Sequence, residues 1–334
     1  PLGHGNPAVY IPLFVWRKVP REILDQPPLE VPHASSKGAG SKNMDPRERA
    51  ATLVEALPYM QRFAGKTVVV KYGGAAQVQK ELHDPFAQDI ILLKYIGINI
   101  VVVHGGGPQI GETLKKLGKD SEFIEGLRVT DEETVGVVEM VLAGSTNKGI
   151  VRLINHHGGK AVGLSGSDAG LTSATKLTLT RKGGDGEDEQ YDLGQVGEVK
   201  EVNPDIIHHL ADGGFIPVIA PLGVGEDSKV YNINADSAAG AVAGALEAEK
   251  FILLTDVPGI LDDSGKLIST LDRAEVEKLK KSGVIKGGMI PKVDACLDAL
   301  SQGVSKAHIL DGRVPHAVLL EVFTDEGIGT EIVA

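Results

Sequence analysis

The chain has 334 residues, with 42 Gly, 17 Pro, one Cys, 4% aromatic residues and a net charge of −11. That length suits two lobes or one large domain, while the lone Cys excludes a disulfide scaffold or Cys-based zinc cluster and makes the cytoplasm the expected location. The acidic total argues against nonspecific nucleic-acid binding, and no apolar run approaches the roughly 18–20 residues that a membrane span requires.

In chain order, residues 1–43 stand apart. They hold seven of the prolines and five cations against three acids, which leaves −13 on residues 44–334. With a linker-like end at 35–41, residues 1–43 read as a disordered leader or expression remnant, with Met44 a plausible native start. Asp45-Pro46-Arg47-Glu48 then reads as an N-cap, an N1 proline and a capping-box Glu, opening a helix that ends near Gly65. The run 67–71 is β-branched and continuous, as in a strand buried on both faces, and 98–104 and 250–255 repeat the pattern. Helical spacing covers 84–93, 109–117, 132–154, 205–212, 236–246, 273–281 and 290–302. Strands alternating with helices predict a mainly parallel sheet covered on both sides. Between Thr175 and Val202, polar and β-branched residues alternate around the run 183–189, predicting an exposed hairpin with an acidic tip. Cys296 falls on the apolar face of a helix and reads as core.

Two strands end in glycine turns, Lys71-Tyr72-Gly73-Gly74 and His104-Gly105-Gly106-Gly107. Such turns let consecutive backbone N–H groups converge on an anion at the carboxyl ends of the strands. Neither a dinucleotide fingerprint nor a Walker A spacing is met. Lys71 would be costly to bury without an anionic partner. Lys292 follows the Gly287-Gly288-Met289 turn in the first turn of a helix, where the macrodipole disfavours a cation and calls for a compensating anion. Asn232-Ile233-Asn234-Ala235-Asp236 reads as an Asn-rich turn with Asp236 as N-cap.

Together these segments, with Gly126-Leu127-Arg128-Val129-Thr130-Asp131 and Leu253-Leu254-Thr255-Asp256, resemble the amino-acid kinase family, and within it the branch acting on N-acetyl-L-glutamate. The resemblance implies an open three-layer α/β/α sandwich with an N-terminal helix. It implies an oligomerisation helix at 44–62, an acetylglutamate lobe at 63–245 and an ATP lobe at 246–334. By position, Lys71, Lys292 and Asp236 would be catalytic, with Asp236 orienting both lysines. Gly106, Gly107, Arg128 and Asn232 would hold N-acetyl-L-glutamate, Arg128 pairing its α-carboxylate. Gly73, Gly74, Thr255, Asp256, Gly259, Gly287, Gly288 and Met289 would line the ATP site, with Mg²⁺ held mainly by the nucleotide phosphates and no dedicated metal cage. The implied reaction is phosphorylation of the substrate's γ-carboxylate. Other family members, acting on aspartate, glutamate, carbamate or UMP, are the first alternative, and a catalytically silent nucleotide or arginine sensor is the second.

The same resemblance extends to the arginine-inhibited members, which form hexamers as trimers of dimers. It implies an L-arginine site at Tyr59, Lys250, His308, Glu321 and Gly327. Some relatives also bind the signalling protein PII, a further partner to test.

Overall fold

The computed structural model describes residues 45–182, 188–325 and 327–334. The expected leader and Met44 lie outside the described residues, as does most of the expected acidic tip, at 183–187. Met44–Ala334 makes one compact unit.

Helix α1 (Pro46–Phe63) starts as its sequence predicts. Asp45 accepts from the Arg47 N–H at 3.1 Å, and Glu48 accepts from the Asp45 N–H at 3.3 Å. Of its side chains only Phe63 is buried, and Leu53, Val54 and Leu57 are exposed.

Strands β1 (Thr67–Tyr72) and β2 (Asn99–His104) follow, separated by α2 (Ala75–Val78) and α3 (His83–Tyr95). Next come α4 (Gly107–Lys116), the hairpin β3 (Phe123–Ile124) and β4 (Leu127–Arg128), then α5 (Glu132–Glu139) and α6 (Asn147–His156). The middle of the chain gives β5 (Ala161–Leu164), β6 (Thr172–Lys182), β7 (Asp188–Val202), α7 (Asp205–Asp212), β8 (Ile216–Ile219), β9 (Leu222–Val224) and β10 (Val230–Ile233). It closes with α8 (Ala235–Ala245), β11 (Lys250–Thr255), β12 (Thr270–Leu271), α9 (Arg273–Ser282), α10 (Ile290–Ser301), β13 (Lys306–Asp311), α11 (Ala317–Val322) and β14 (Thr330–Ile332).

Eight strands form one sheet in the order β12-β14-β13-β11-β1-β2-β8-β5, parallel throughout except between β13 and β14. Alternation along the strands explains why both faces are covered. Val69, Val101, Val103 and Leu253 point into one core with Ala239 of α8 and Val293 and Cys296 of α10. Val68, Val70, Ile100 and Val102 point into the other with Phe86 and Ile90 of α3 and Val318 of α11. Each such fully buried aliphatic side chain contributes roughly 1.5–3 kcal/mol. Cys296 is fully buried, as expected, and burial pushes its thiol pKa well up.

One predicted helix is interrupted. Between α5 and α6, Met140–Thr146 is π-helical, so the single helix expected over 132–154 is three pieces. The wider turn takes in Gly144 and turns Leu142 toward Gly106, where a Cβ would lie 2.4 Å from Leu142 Cδ2. Hydrophobic spacing cannot distinguish this from a continuous helix, because the insertion shifts the phase by one residue only.

Candidate active site

The first feature of the site is a three-member charge cluster. Lys71 ends the apolar run of β1 and is buried. Its Nζ lies 2.9 Å from Asp236 Oδ1, and Lys292 Nζ lies 2.6 Å from Asp236 Oδ2. Burial alone would raise the Asp236 carboxyl pKa; the two ammonium groups outweigh that and hold it below the usual range. The strand thus delivers one lysine, the first turn of α10 the other, and α8 the carboxylate between them.

The expectation that Asp236 caps its helix is corrected. Asn234 is the N-cap, accepting from the N–H groups of Asp236 at 2.9 Å and Ser237 at 3.2 Å. Because Asn234 satisfies those donors, the Asp236 side chain is free to face the lysines. An Asx turn two residues upstream was the sequence signal for this arrangement.

Gly73 and Gly74 follow Lys71 for steric reasons. A Cβ at Gly73 would lie 2.5 Å from Lys71 Nζ. Gly74 has φ +61°, and a Cβ there would lie 2.3 Å from Asp256 Oδ1. The structure therefore brings the first glycine turn against the end of β11, where Thr255 is buried and its carbonyl accepts from Gly312 N at 2.7 Å. Beside it Arg313 is held by Asp311 through two bonds of 2.8 Å; the sequence reading of the site had not included this arginine.

Beside the cluster lies a cavity of about 160 Å³ bounded by Gly106, Gly107, Arg128, Leu142, Asn232 and Asn234. All four residues expected to hold the substrate meet there. The tight turn Glu125-Gly126, with both φ positive, closes the β3–β4 hairpin and delivers Arg128. Arg128 donates to the Gly107 carbonyl at 2.9 Å and to Ser121 Oγ, and its guanidinium carbon lies 4.6 Å from the centre of the Phe123 ring. Asn232 donates to Thr130 Oγ1 at 3.4 Å. A Cβ at Gly105 would lie 4.0 Å from both Gly73 and Ala235, so the cavity and the charge cluster adjoin.

The remaining nucleotide-side residues are more dispersed. Gly287–Met289 forms one 3₁₀ turn leading into α10, with Gly287 at φ +54°, and Met289 packs on the core. Gly259 lacks a side chain because a Cβ would lie 2.7 Å from Leu267 and Thr330, a packing reason independent of any ligand.

A second, larger cavity of about 570 Å³ contains all five residues expected at the arginine site. Glu321 Oε1 lies 2.8 Å from His308 Nδ1 and 3.2 Å from Lys250 Nζ. Burial would raise the Glu321 carboxyl; the His308 and Lys250 partners prevail and hold its pKa at about 2. Gly327 has φ +62°, and a Cβ there would lie 2.7 Å from Glu321 Oε2. Tyr59 of α1 forms part of the wall, its ring centre 6.3 Å from that of Phe323 in an edge contact. Lys250 pairs with Val68 in register, whereas Lys71 pairs with Leu253, so the two sites differ by three residues, about 10 Å, along the strands.

Among the described residues, no group of three or more His, Cys, Asp or Glu side chains could hold a metal ion, and no helix is long and apolar enough to cross a membrane.

The chain belongs to the amino acid kinase family, whose model matches residues 66–311. Within that class the similar curated proteins are acetylglutamate kinases. That of Syntrophus aciditrophicus is 60% identical over 289 residues, covering 86% of this chain and 98% of the relative, and that of Syntrophobacter fumaroxidans is 61% identical over 287 residues, covering 86% and 96%. Among solved structures, the N-acetylglutamate synthase of Neisseria gonorrhoeae, in complex with coenzyme A and N-acetyl-glutamate, aligns at a TM-score of 0.73 and 27% identity. The alignment covers 85% of this chain, which spans 63% of that one. The carbamate kinase of Giardia lamblia, at 18% identity, a TM-score of 0.57 and coverage of 81% of this chain and 99% of its own, shares the fold.

Proposed function

We infer that this chain transfers the γ-phosphoryl group of ATP to the γ-carboxylate of N-acetyl-L-glutamate, forming N-acetyl-L-glutamyl 5-phosphate in arginine biosynthesis. The observation that carries the reading is the Lys71–Asp236–Lys292 cluster adjoining the cavity of Gly106, Gly107, Arg128 and Asn232. A carboxylate nucleophile, with an ordinary pKa near 4.3, is ionised at neutral pH and needs no general base. The difficulty is electrostatic, since two anions must approach one another on an acidic protein. Positive groups and oriented N–H dipoles fixed before the reaction answer it. In this reading Arg128 and Asn232 grip the amino-acid end, and Lys71 and Lys292 flank the phosphoryl group in transfer. Gly73, Gly74, Thr255, Asp256 and Gly287–Met289 border the nucleotide. Asp236 is already committed to two lysines, so the donor set suits Mg²⁺ carried by ATP phosphates rather than caged by protein. Bound there, Mg²⁺ would neutralise phosphate charge.

The test is a substrate panel with ATP, in which ADP release is measured and the acyl phosphate is trapped with hydroxylamine. Turnover with N-acetyl-L-glutamate well above that with glutamate, aspartate, carbamate or UMP is expected. Preference for any of the others overturns the assignment, and ATP binding without turnover would favour a sensor.

We also propose that the larger cavity binds L-arginine as a feedback inhibitor. A buried carboxylate at Glu321 suits a guanidinium, and the N. gonorrhoeae synthase is known in complex with coenzyme A and L-arginine. The exposed apolar residues of α1 support a homo-oligomer in which that helix meets other copies, a hexamer being the form proposed. A cytoplasmic location accords with a biosynthetic role.

A further inference from the structure

Behind the second glycine turn lies a buried polar chain outside the residues grouped in the site above; from the sequence, His104 reads equally as an orienting group for the turn or as a structural histidine. His104 and Asn147 are fully buried. His104 Nδ1 lies 2.7 Å from the Gly105 carbonyl, which can only accept, so Nδ1 carries the hydrogen. Nε2 is then a lone pair, and Asn147 Nδ2 donates to it at 3.2 Å. The orientation of that amide is fixed in turn, because Nδ2 also faces the carbonyls of Val218 at 2.9 Å and Leu164 at 3.3 Å. These two carbonyls belong to the ends of β8 and β5, so the chain is anchored in the sheet. A second donor, Gln77 Nε2, reaches the same Gly105 carbonyl at 3.0 Å. The Gly105 N–H is tied as well, to the Tyr72 carbonyl at 2.9 Å.

The consequence follows from peptide geometry. No peptide in the described structure is cis, and across a trans peptide the C=O and the next N–H point in opposite directions. With the Gly105 carbonyl drawn toward His104 and Gln77, the Gly106 N–H is turned the other way. Gln77 borders a separate cavity with Tyr72 and His83, whereas Gly106 borders the cavity of Arg128 and Asn232.

We propose that His104, seated by Asn147 and assisted by Gln77, is a positioning residue that aims the Gly106 N–H at the substrate's reacting carboxylate. This rests on the reading of the cleft as the phosphoryl-transfer site. His104 and Gln77 both bond the Gly105 carbonyl, so in this proposal they act through that peptide. A glycine turn can rotate this peptide freely, so an unclamped turn would spread its N–H over many directions and lose preorganisation.

The experiment compares H104A, H104N and Q77M with the unaltered protein, measuring kcat, both KM values and the melting temperature. Asn places an amide N–H where Nδ1 stands, so H104N keeps the donor to Gly105 while losing the link to Asn147. H104A is expected to lower kcat/KM for N-acetyl-L-glutamate by about 10-fold or more, with the KM for ATP little changed. H104N should recover most of that loss. Q77M should lose about five-fold, with a melting temperature lowered by no more than a few degrees, since one neutral hydrogen bond is worth about 1 kcal/mol. The proposal is overturned if Q77M turns over like the unaltered protein. It is equally overturned if H104N is as impaired as H104A, since loss of a packed core group alone would then explain both. Should H104A fail to fold, H104N and Q77M still decide. Absence of turnover in the unaltered protein would sink the cleft reading itself, and this inference with it.

Discussion

At Lys71 a charged side chain closes a strand that is otherwise apolar, and its partner is a carboxylate from a different segment of the chain. The sequence shows the anomaly, a cation where burial is costly, but not that one aspartate serves two lysines. Substituting Lys71 or Lys292 with Ala should each reduce kcat on the order of 10²-fold, as for loss of one preorganised donor; turnover near that of the unaltered protein would refute the role. Arg128→Ala should raise the KM for N-acetyl-L-glutamate far more than that for ATP, and equal effects on both would count against it. His104 gives a stability prediction of definite sign. Burial holds its pKa at about 4, below the ordinary 6.5. The folded state therefore binds a proton less readily than the unfolded one. Stability is fully present above about pH 6.5 and declines as pH falls toward 4, by up to about 3 kcal/mol. Urea titrations from pH 7.5 to 4 should show that decline in the unaltered protein and a flatter profile in H104N.

Among the elements, helices with strong caps and strands with apolar runs were legible, whereas short or re-phased segments were not. The expected helix at 273–281 is α9, opened by a capping box of Asp272 and Glu275, and the expected strand at 250–255 is β11. The π-helical segment was hidden because one inserted residue barely disturbs the apolar pattern. In the closed assembly of β6, β7, β9 and β10 the β6–β7 hairpin is the one expected between Thr175 and Val202, whereas the parallel closing pairs β6–β9 and β7–β10 were hidden because no hairpin turn marks them in the sequence. Helix α1 was predicted from its capping box, but its exposed Leu53, Val54 and Leu57 could be recognised only once the fold left them uncovered. Removing residues 45–57 should leave Tyr59 and Phe63 in place and lower the mass measured by light scattering. An unchanged mass would refute α1 as an assembly element.

For the whole molecule, one sheet carries both proposed sites, with Lys71 on β1 and Lys250 on the adjoining β11. The residues of each proposed site come from segments far apart in the chain, and those grouped by the resemblance line common cavities in the fold. What the resemblance did not reveal was the supporting network, such as Asn234 freeing Asp236 from cap duty. Glu321→Gln should raise the arginine concentration for half-inhibition at least 10-fold by removing the charge that a guanidinium would meet. If arginine leaves the unaltered enzyme's rate unchanged at millimolar levels, the regulatory reading fails before the variant is made.

The shared carboxylate of Asp236 has a consequence for how substitutions combine. Lys71, Asp236 and Lys292 come from three separate segments, yet each sets the environment of the others. Loss of either lysine leaves the aspartate half-compensated, and loss of the aspartate leaves two ammonium groups in a cleft meant for anions. Effects at these positions should therefore depart strongly from additivity. In a combinatorial scan the three would behave as a single locus: once one has changed, further changes at the other two would cost little more.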